Sequence, residues 1–294
     1  MLRLDLNSNS RFLLFNALFA SAFFGPLRDL VQISLRSDTI TYIPYIPIIS
    51  AYLIYSDRQM IFSQKGSISA IGFLPIGIGI LLLFFNGNRE ALLDHQDYLT
   101  LITVSMVLIW IGGFTLCFGI RSLRVSVFPL LFLFFMVPIP GVVLDKIILF
   151  LQSGSADAAH KFLKATGIPV ARDGFIFHLS SLDIEVAKEC SGIRSSLSLV
   201  ITGVLAANFS LRTGWARILL MLSLIPIAIL KNGFRIAVLS LLGVYVDERI
   251  LASDLHSRGG ILFFILALLL VWAEIVLLRK MERRFEPEDA KQEQ

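Results

Sequence analysis

Residues 189–196, Glu189-Cys190-Ser191-Gly192-Ile193-Arg194-Ser195-Ser196, join a polar segment to an apolar run over residues 197–207. If a membrane helix begins near Cys190, the thiol lies in its first turn, where unpaired N–H groups and the helix dipole favour an anion. Arg194 would then lie one turn further along the same face. Both effects lower the pKa of a cysteine and favour a nucleophilic thiolate. The alternative is a small buried side chain, which is what most free cysteines are.

The composition of the 294-residue chain argues against a soluble domain. Hydrophobic residues make up 56% of it, charged residues only 16%, and the mean hydropathy is +0.77. Soluble domains carry about 25% charged residues, so we predict a polytopic membrane protein. The net charge of +4 comes from basic residues scattered through short loops. That pattern follows from membrane topology and argues against nucleic acid as a partner.

The cysteine and histidine content predicts neither a metal site nor a redox site. The two cysteines, Cys117 and Cys190, lie in different apolar segments, form no Cys-x-x-Cys pair and are expected to be free thiols. The histidines have no metal-ligand spacing; they are His95, His160, His178 and His256. We therefore expect no metal ion and no cofactor.

Eight apolar segments are long enough to cross a hydrocarbon layer of about 30 Å. The fifth is interrupted by Val137-Pro138-Ile139-Pro140-Gly141, which must bend or break a helix. The second contains Pro44 and Pro47, which favour a kink. The fold class predicted is an all-α polytopic membrane protein with about eight transmembrane helices. The segments are 12–30, 39–55, 67–85, 98–120, 125–152, 190–208, 214–230 and 259–278.

Basic residues orient these segments. The sequence after the last segment, Arg279-Lys280-Met281-Glu282-Arg283-Arg284, is strongly basic and belongs in the cytoplasm. With eight spans the N-terminus is also inside, and every inner loop is then basic, as Arg212 and Arg217 illustrate. A cleavable signal peptide at the N-terminus is disfavoured, because the apolar run continues past the candidate site Ala20-Ser21-Ala22.

This topology puts residues 153–189 outside the membrane. Residues 155–164 have helical character and are predicted to lie along the interface. Three strand-like stretches follow at 169–172, 175–179 and 183–187, and Asp173-Gly174 is a hairpin turn signal. A small extracytoplasmic β-hairpin is therefore expected before the helix that carries Cys190.

A second unusual region lies between the last two segments. The seventh segment ends outside near Lys231-Asn232-Gly233-Phe234-Arg235, and the eighth must begin outside near Gly259. The apolar stretch 236–246 between them cannot cross, so we predict that it dips into the membrane or lies flat. Irregular backbone at that depth persists only where protein or water satisfies it, which indicates a cavity.

Cys190, Arg235 and His256 converge on the outer face in this topology. A thiol, a guanidinium and an imidazole suit thiol-based acyl transfer, in which the imidazole accepts the thiol proton and returns it to the leaving amine. The guanidinium stabilises the oxyanion, a contribution of roughly 3–4 kcal/mol per donor in enzymes where it has been removed. Each residue also has an ordinary alternative. Arg235 can reach lipid headgroups, His256 can be an exposed loop residue, and Arg194 can neutralise a nearby glutamate.

These residues resemble the motifs of the exosortase/archaeosortase family of multi-pass membrane transpeptidases, in its bacterial branch. The matching pieces are residues 189–195 at the start of a span, Asn232-Gly233-Phe234-Arg235-Ile236, and His256 ahead of the final span. Archaeal members tend to carry a second arginine where this chain has His256. The Pro138-Ile139-Pro140 break also fits. The resemblance covers roughly residues 100–280.

The resemblance implies a reaction and the residues that perform it. Cys190 is the implied nucleophile, Arg235 stabilises the oxyanion or the substrate, and His256 is the general acid and base. Arg194 and Asn232 support them. The implied substrates are exported proteins with a C-terminal PEP-CTERM-like signal, made of a short Pro-containing motif, a membrane helix and a basic tail. Cleavage takes place on the outer face of the bacterial inner membrane, and the acyl group passes to an unknown cell-surface acceptor.

The expected organisation is one membrane domain. Residues 1–97 form N-terminal helices without a matched motif, residues 98–280 form the exosortase-like core with the outer segment 153–189, and residues 281–294 form a cytoplasmic tail.

Two other functions are compatible with the sequence. A transporter or polysaccharide-export component would explain the broken fifth segment and the outer cavity, and would depend on charges within spans such as Asp145, Lys146 and Glu274. A membrane acyltransferase that uses a thioester would share the Cys190 nucleophile but needs a groove for acyl chains.

Overall fold

The computed structural model describes residues 8–37, 39–62, 69–87, 94–179, 182–246 and 260–285. It is mostly helical, as expected for an all-α polytopic membrane protein. The chain forms two compact units, Met1–Leu144 and Asp145–Gln294. The expectation that the whole chain acts as one domain stays a prediction.

The described part of the first unit is helical. Its helices are α1 (Ser8–Ala22), α2 (Phe24–Arg36), α3 (Tyr45–Ser56), α4 (Arg58–Phe62), α5 (Phe73–Gly87), α6 (His95–Val125) and α7 (Val127–Phe132). Helix α8 (Gly141–Ala165) begins in this unit and continues into the next. The second unit adds strands β1 (Ala171–Asp173), β2 (Ile176–His178) and β3 (Asp183–Glu185), and helices α9 (Ile193–Ser210), α10 (Gly214–Tyr245) and α11 (Gly260–Phe285).

Four of the described helices are long and apolar enough to cross a membrane, namely α6, α9, α10 and α11. Two broken pairs raise the number to six, α1 with α2, bent by 69°, and Val127–Met136 with α8. Two shorter apolar helices, Tyr45–Ser56 and Ala70–Phe85, complete the set. Each of the eight predicted apolar segments therefore coincides with an apolar helix or a broken pair. The number of crossings stays a prediction.

The predicted break in the fifth segment is confirmed, because the helical turns end at Met136 and a new helix begins at Gly141. Side chains in the first turns of α6 satisfy backbone groups that the break leaves open. The bonds are Gln96 Nε2 to Ile139 O (2.6 Å), Thr100 Oγ1 to Pro138 O (3.0 Å) and Gly141 N to Asp97 Oδ1 (2.9 Å). The prolines of the second segment instead start a helix: Pro44 precedes α3 and Pro47 lies in its first turn, where the missing N–H is no loss.

Helices α9, α10 and α11 pack around a common apolar core in the second unit. Gly203 allows the close approach, since a Cβ atom there would lie 2.6 Å from Leu224 Cδ1. Glu282 of α11 anchors the start of α10 by accepting hydrogen bonds from the Arg212 and Thr213 N–H groups (3.0 and 2.7 Å) and from Thr213 Oγ1 (2.6 Å). The core residues are Leu199, Ala207, Leu211, Ala216, Leu220, Leu224, Ala228, Ala267, Val271, Ile275 and Leu278.

The last turns of α8 confirm the helical character predicted for residues 155–164, and one face of them is buried. The predicted position along the membrane interface stays a prediction. The helix runs unbroken from Gly141 to Ala165, and its small residues face the protein. Phe177 of β2 and Ile236 of α10 belong to the same core as these turns. The small side chains are explained by this packing; they include Ser155, Ala156, Ala158 and Ala159.

The three strands form an antiparallel sheet in the order β1-β2-β3. Phe177 is paired with Arg172 on one side and with Ile184 on the other. The Asp173-Gly174 turn has a positive φ of 58° at the glycine. The three strands overlap the three stretches predicted from the sequence, 169–172, 175–179 and 183–187. The carbonyl group of Val186, just after β3, accepts a hydrogen bond from Gln152 of α8 (2.6 Å).

Helix α10 corrects the prediction for residues 214–246. It is one continuous helix of 32 residues, so residues 236–246 form neither a re-entrant nor a flat segment but extend the seventh predicted span. The sequence suggested an end at Lys231 because a charged residue is costly inside a membrane helix. Lys231 and Asn232 are instead buried against protein.

Candidate functional site

A left-handed glycine separates the Cys190 turn from helix α9. Residues Lys188–Ser191 form a 3₁₀ turn, and Gly192 follows with φ 75° and ψ 15° before α9 begins at Ile193. A Cβ atom on Gly192 would lie 2.8 Å from Asn232 Cγ and Oδ1. Both the positive φ and the lack of space require glycine here.

This geometry corrects two expectations about the start of α9. Cys190 lies in the 3₁₀ turn and not in the first turn of the α-helix. Arg194 is the second residue of α9, is exposed, and is not one helical turn from Cys190, because Gly192 interrupts the helical backbone. The Cys190 side chain lies outside the described part of the structure.

The carbonyl oxygen of Gly192 is held in place by the first turn of α9. It accepts hydrogen bonds from Ser195 Oγ (3.0 Å), Ser196 Oγ (2.9 Å) and the Ser196 N–H (2.9 Å). Lys231 of α10 donates from Nζ to Ser195 Oγ at 2.5 Å. A chain of two hydrogen bonds therefore connects Lys231 to the peptide next to the Cys190 turn.

The segment Lys231–Gly233 puts polar groups on a buried face of α10. Lys231 is 4% exposed and Asn232 is 1% exposed. At Gly233 the helix touches α8, since a Cβ atom there would lie 2.5 Å from Ala158 Cβ and 2.9 Å from Ser155 O. The glycine lets α10 approach α8 closely enough to keep water from its polar neighbours.

Arg235 lies one turn after Lys231 and is half-buried. Its Nη1 atom is 4.0 Å from the position of a Cβ atom on Gly260, the first residue of α11. The rings of Phe234 and Phe263 also meet edge to face, with centroids 6.0 Å apart. The start of α11 is thus beside Arg235. His256, four residues before α11, lies outside the described residues.

Three regions that are distant in sequence meet in the second unit. Asn232 contacts the glycine after the Cys190 turn, and Arg235 approaches the start of α11. Among the described side chains, no carboxylate lies within salt-bridge distance of Lys231. The described part of the site thus contains two cations, Lys231 and Arg235, which suits a reaction that develops negative charge on a sulfur or an oxygen.

Sequence reasoning missed Lys231 and Ser195. Lys231 was interpreted as the polar end of a span, and Ser195 only as part of a motif. One available signal was the spacing of Lys231 and Arg235, which at four residues places two cations on the same helical face.

Comparison with known protein families gives a match over most of the chain. Residues 34–273 match the family model described as transmembrane exosortase, which is most of the chain. The match begins well before residue 100, so it includes a part of the chain in which we had recognised no motif. No curated protein and no solved structure matches the chain.

Proposed function

Because the chain belongs to the transmembrane exosortase family, we propose that it is a membrane cysteine transpeptidase that processes the C-terminal sorting signals of exported proteins. Cys190 acts as the nucleophile, Arg235 stabilises the oxyanion, and His256 acts as general acid and base. Asn232 and Arg194 support the site.

The observation that carries this proposal is the meeting of α10 with both other regions. Asn232 is in contact with Gly192, two residues after Cys190, while Arg235 approaches Gly260, four residues after His256. Two residues of one helix, three positions apart, thereby lie beside Gly192 and Gly260, which are close in sequence to the proposed nucleophile and the proposed base. This contact supports a site that combines a thiol, a guanidinium and an imidazole.

The reaction has two acyl transfers. His256 accepts the Cys190 proton, and the sulfur attacks the scissile carbonyl carbon to give a tetrahedral oxyanion beside Arg235. The C–N bond breaks, and the imidazolium returns its proton to the leaving amine. A second nucleophile then attacks the thioester carbonyl, gives its proton to His256 and releases the Cys190 thiolate. The thiolate takes that proton from the imidazolium, so the acyl group ends on the acceptor and both enzyme groups return to their starting states.

Helix length supports a position at the outer rim of the bilayer. Helix α10 begins at Gly214, and the basic residues at its start, Arg212 just before it and Arg217 in its first turn, are assigned to the cytoplasm. Lys231 is 17 residues further along, or about 26 Å at 1.5 Å per residue. The hydrocarbon layer is about 30 Å thick, so the Lys231–Arg235 segment reaches its opposite boundary. Both termini are then cytoplasmic in a bacterial inner membrane.

The proposed substrates are exported proteins with a PEP-CTERM-like signal, namely a short Pro-containing motif, a membrane helix and a basic tail. Such a helix puts its motif at the outer rim, where the proposed site lies. The acceptor is a nucleophile at the cell surface.

The test is replacement of Cys190 in the full-length chain. Cys190→Ala is expected to abolish processing of a tagged substrate, followed by its mobility on a gel, because the attacking sulfur is absent. Cys117→Ala is the matched control, since Cys117 is a free thiol in α6, in the other compact unit. Unchanged processing by Cys190→Ala contradicts the proposal and favours a transporter, which would tolerate the change.

A second measurement identifies the acyl donor. In a slow variant such as His256→Ala, mass spectrometry of the intact protein is expected to find a peptide acyl group on Cys190. A lipid acyl group on the same sulfur would indicate the acyltransferase alternative instead.

A further inference from the structure

Lys231 is a buried lysine that has no acidic partner among the described residues of the second unit. Lys231 is 4% exposed, and its one polar contact among the described residues is Ser195 Oγ. Burial of an ammonium group without a counter-charge is costly, and such a group in a membrane segment indicates function. The cost is explained if an anion forms nearby during the reaction.

Among the described residues, those near Lys231 are cations and neutral groups. Arg235 lies one turn further on its own helix, and Arg194 and Lys188 flank the Cys190 turn, both exposed. Helix α8 contributes Ser155 and Ala158 at the adjacent Gly233. Lys231 is the buried one of these four cations.

The hydrogen bonds distinguish two roles for this lysine. A Ser–Lys dyad would need the Ser195 proton to point at Lys231, with the neutral amine as base. Ser195 Oγ instead has an acceptor for its single proton in the Gly192 carbonyl, at 3.0 Å, and receives the Lys231 donor from the other side. In this arrangement Ser195 Oγ accepts a hydrogen bond from Lys231 and donates one to the Gly192 carbonyl, so Ser195 connects the lysine to the turn.

We propose that Lys231 is a positioning residue for the reaction at Cys190: through Ser195 it fixes the Gly192 peptide, and its ammonium group stabilises the thiolate on the adjacent turn. This inference rests on the proposed function, in which Cys190 is the nucleophile. It adds a residue outside the Cys190, Arg235 and His256 set.

The experiment uses the full-length Cys117→Ala protein in membranes, so that Cys190 is its one thiol. Lys231→Met is compared with Lys146→Met, an exposed lysine of α8. Two rates are measured, processing of a tagged substrate and alkylation of Cys190 by iodoacetamide between pH 6 and 10. Lys231→Met is expected to slow processing at least about tenfold and to lower alkylation at pH 7 by about tenfold, which corresponds to one unit of thiol pKa. The loss should vanish at pH 10, where the thiol is ionised in both proteins.

A structural role alone would leave the pH profile of alkylation unmoved, so an unchanged profile in Lys231→Met overturns the inference even if processing falls. Ser195→Ala tests the connection through Ser195. The double variant Lys231→Met/Ser195→Ala is expected to process no more slowly than Lys231→Met, because both act through one contact. Independent, additive losses would contradict this connection, and labelling of Ser195 by a fluorophosphonate would indicate the dyad instead.

The two proposals fail in different ways. If Cys190→Ala still processes substrate, the transpeptidase proposal is wrong. If Cys190→Ala is inactive while Lys231→Met matches Lys146→Met in both rates, only the role of Lys231 is wrong.

Discussion

At the scale of the single residue, Gly192 sets the backbone of the turn that carries Cys190. A Gly192→Ala change combines a left-handed backbone, which costs about 1–2 kcal/mol for a non-glycine residue, with a Cβ atom 2.8 Å from Asn232. We expect it to destabilise the protein and to abolish substrate processing, because the turn and Asn232 must move apart. The measurements are thermal unfolding in detergent and gel mobility of a tagged substrate.

Gly167→Ala is the control for Gly192→Ala. Gly167 also has a positive φ, of 79°, but a Cβ atom there meets no described atom within 4 Å. It should show the conformational cost alone and retain processing. Equal processing by the two variants would mean that contact with Asn232 has no part in the site.

The residue types of the site were predictable, but their local geometry was not. Asn232 and Arg235 stood out as polar residues beside an apolar run, and the structure puts them near Gly192 and Gly260. The left-handed Gly192 could not be foreseen, because glycine occurs in many conformations and the clash that requires it here comes from another helix. Lys231 was missed because burial depends on tertiary packing.

At the scale of the element, Gly233 allows α8 and α10 to touch. A Gly233→Ala change would place its Cβ atom 2.5 Å from Ala158 Cβ and 2.9 Å from Ser155 O. Overpacking of this kind costs about 1–3 kcal/mol. We expect lower unfolding stability together with slower processing, since Lys231 and Arg235 shift with the helix. Denaturant unfolding and substrate mobility measure the two effects.

Gly77→Ala in α5 is the matched control for Gly233→Ala. Its Cβ atom would meet no described atom within 4 Å, and alanine favours a helix interior over glycine by about 1 kcal/mol. Stability should rise or stay the same. A loss as large as that of Gly233→Ala would indicate that the α8–α10 contact is not the cause.

Helices were predictable where the length of an apolar run determined them. A predicted helix boundary was wrong where polar residues are buried. The proline break was foreseen because proline cannot continue a helix. The polar groups near Lys231 favour a helix end there, but α10 continues to Tyr245. The polar groups of residues 155–164 favour an interfacial position, which stays a prediction. Each of these stretches has residues buried by a neighbouring element, which local sequence does not reveal.

At the scale of the whole molecule, the basic loops predict which side of the membrane each end of the second unit faces. In a Cys117→Ala/Cys190→Ala background, Asp173→Cys is expected to react with a membrane-impermeant maleimide in intact spheroplasts. Lys280→Cys should react only after lysis. Both side chains are exposed, so the difference reports on sidedness. The reverse result would put the sheet, and the site with it, in the cytoplasm.

The length of α10 restricts where a substrate can be cut. Under the proposed topology the helix carries Lys231 about 26 Å from Gly214 and continues for roughly another 20 Å beyond it. In this continuation Ile236 and Ala237 share a core with Phe177 of the sheet. The proposed site near Lys231 would thereby be held at a fixed distance from the centre of the bilayer. An extended chain advances about 3.3 Å per residue, so a bond only a few residues beyond the end of a client's own membrane anchor can reach the sulfur. Under this proposal the length of α10 would select a scissile bond by its distance from the substrate's membrane helix. That selection would operate before any side chain of the substrate is recognised.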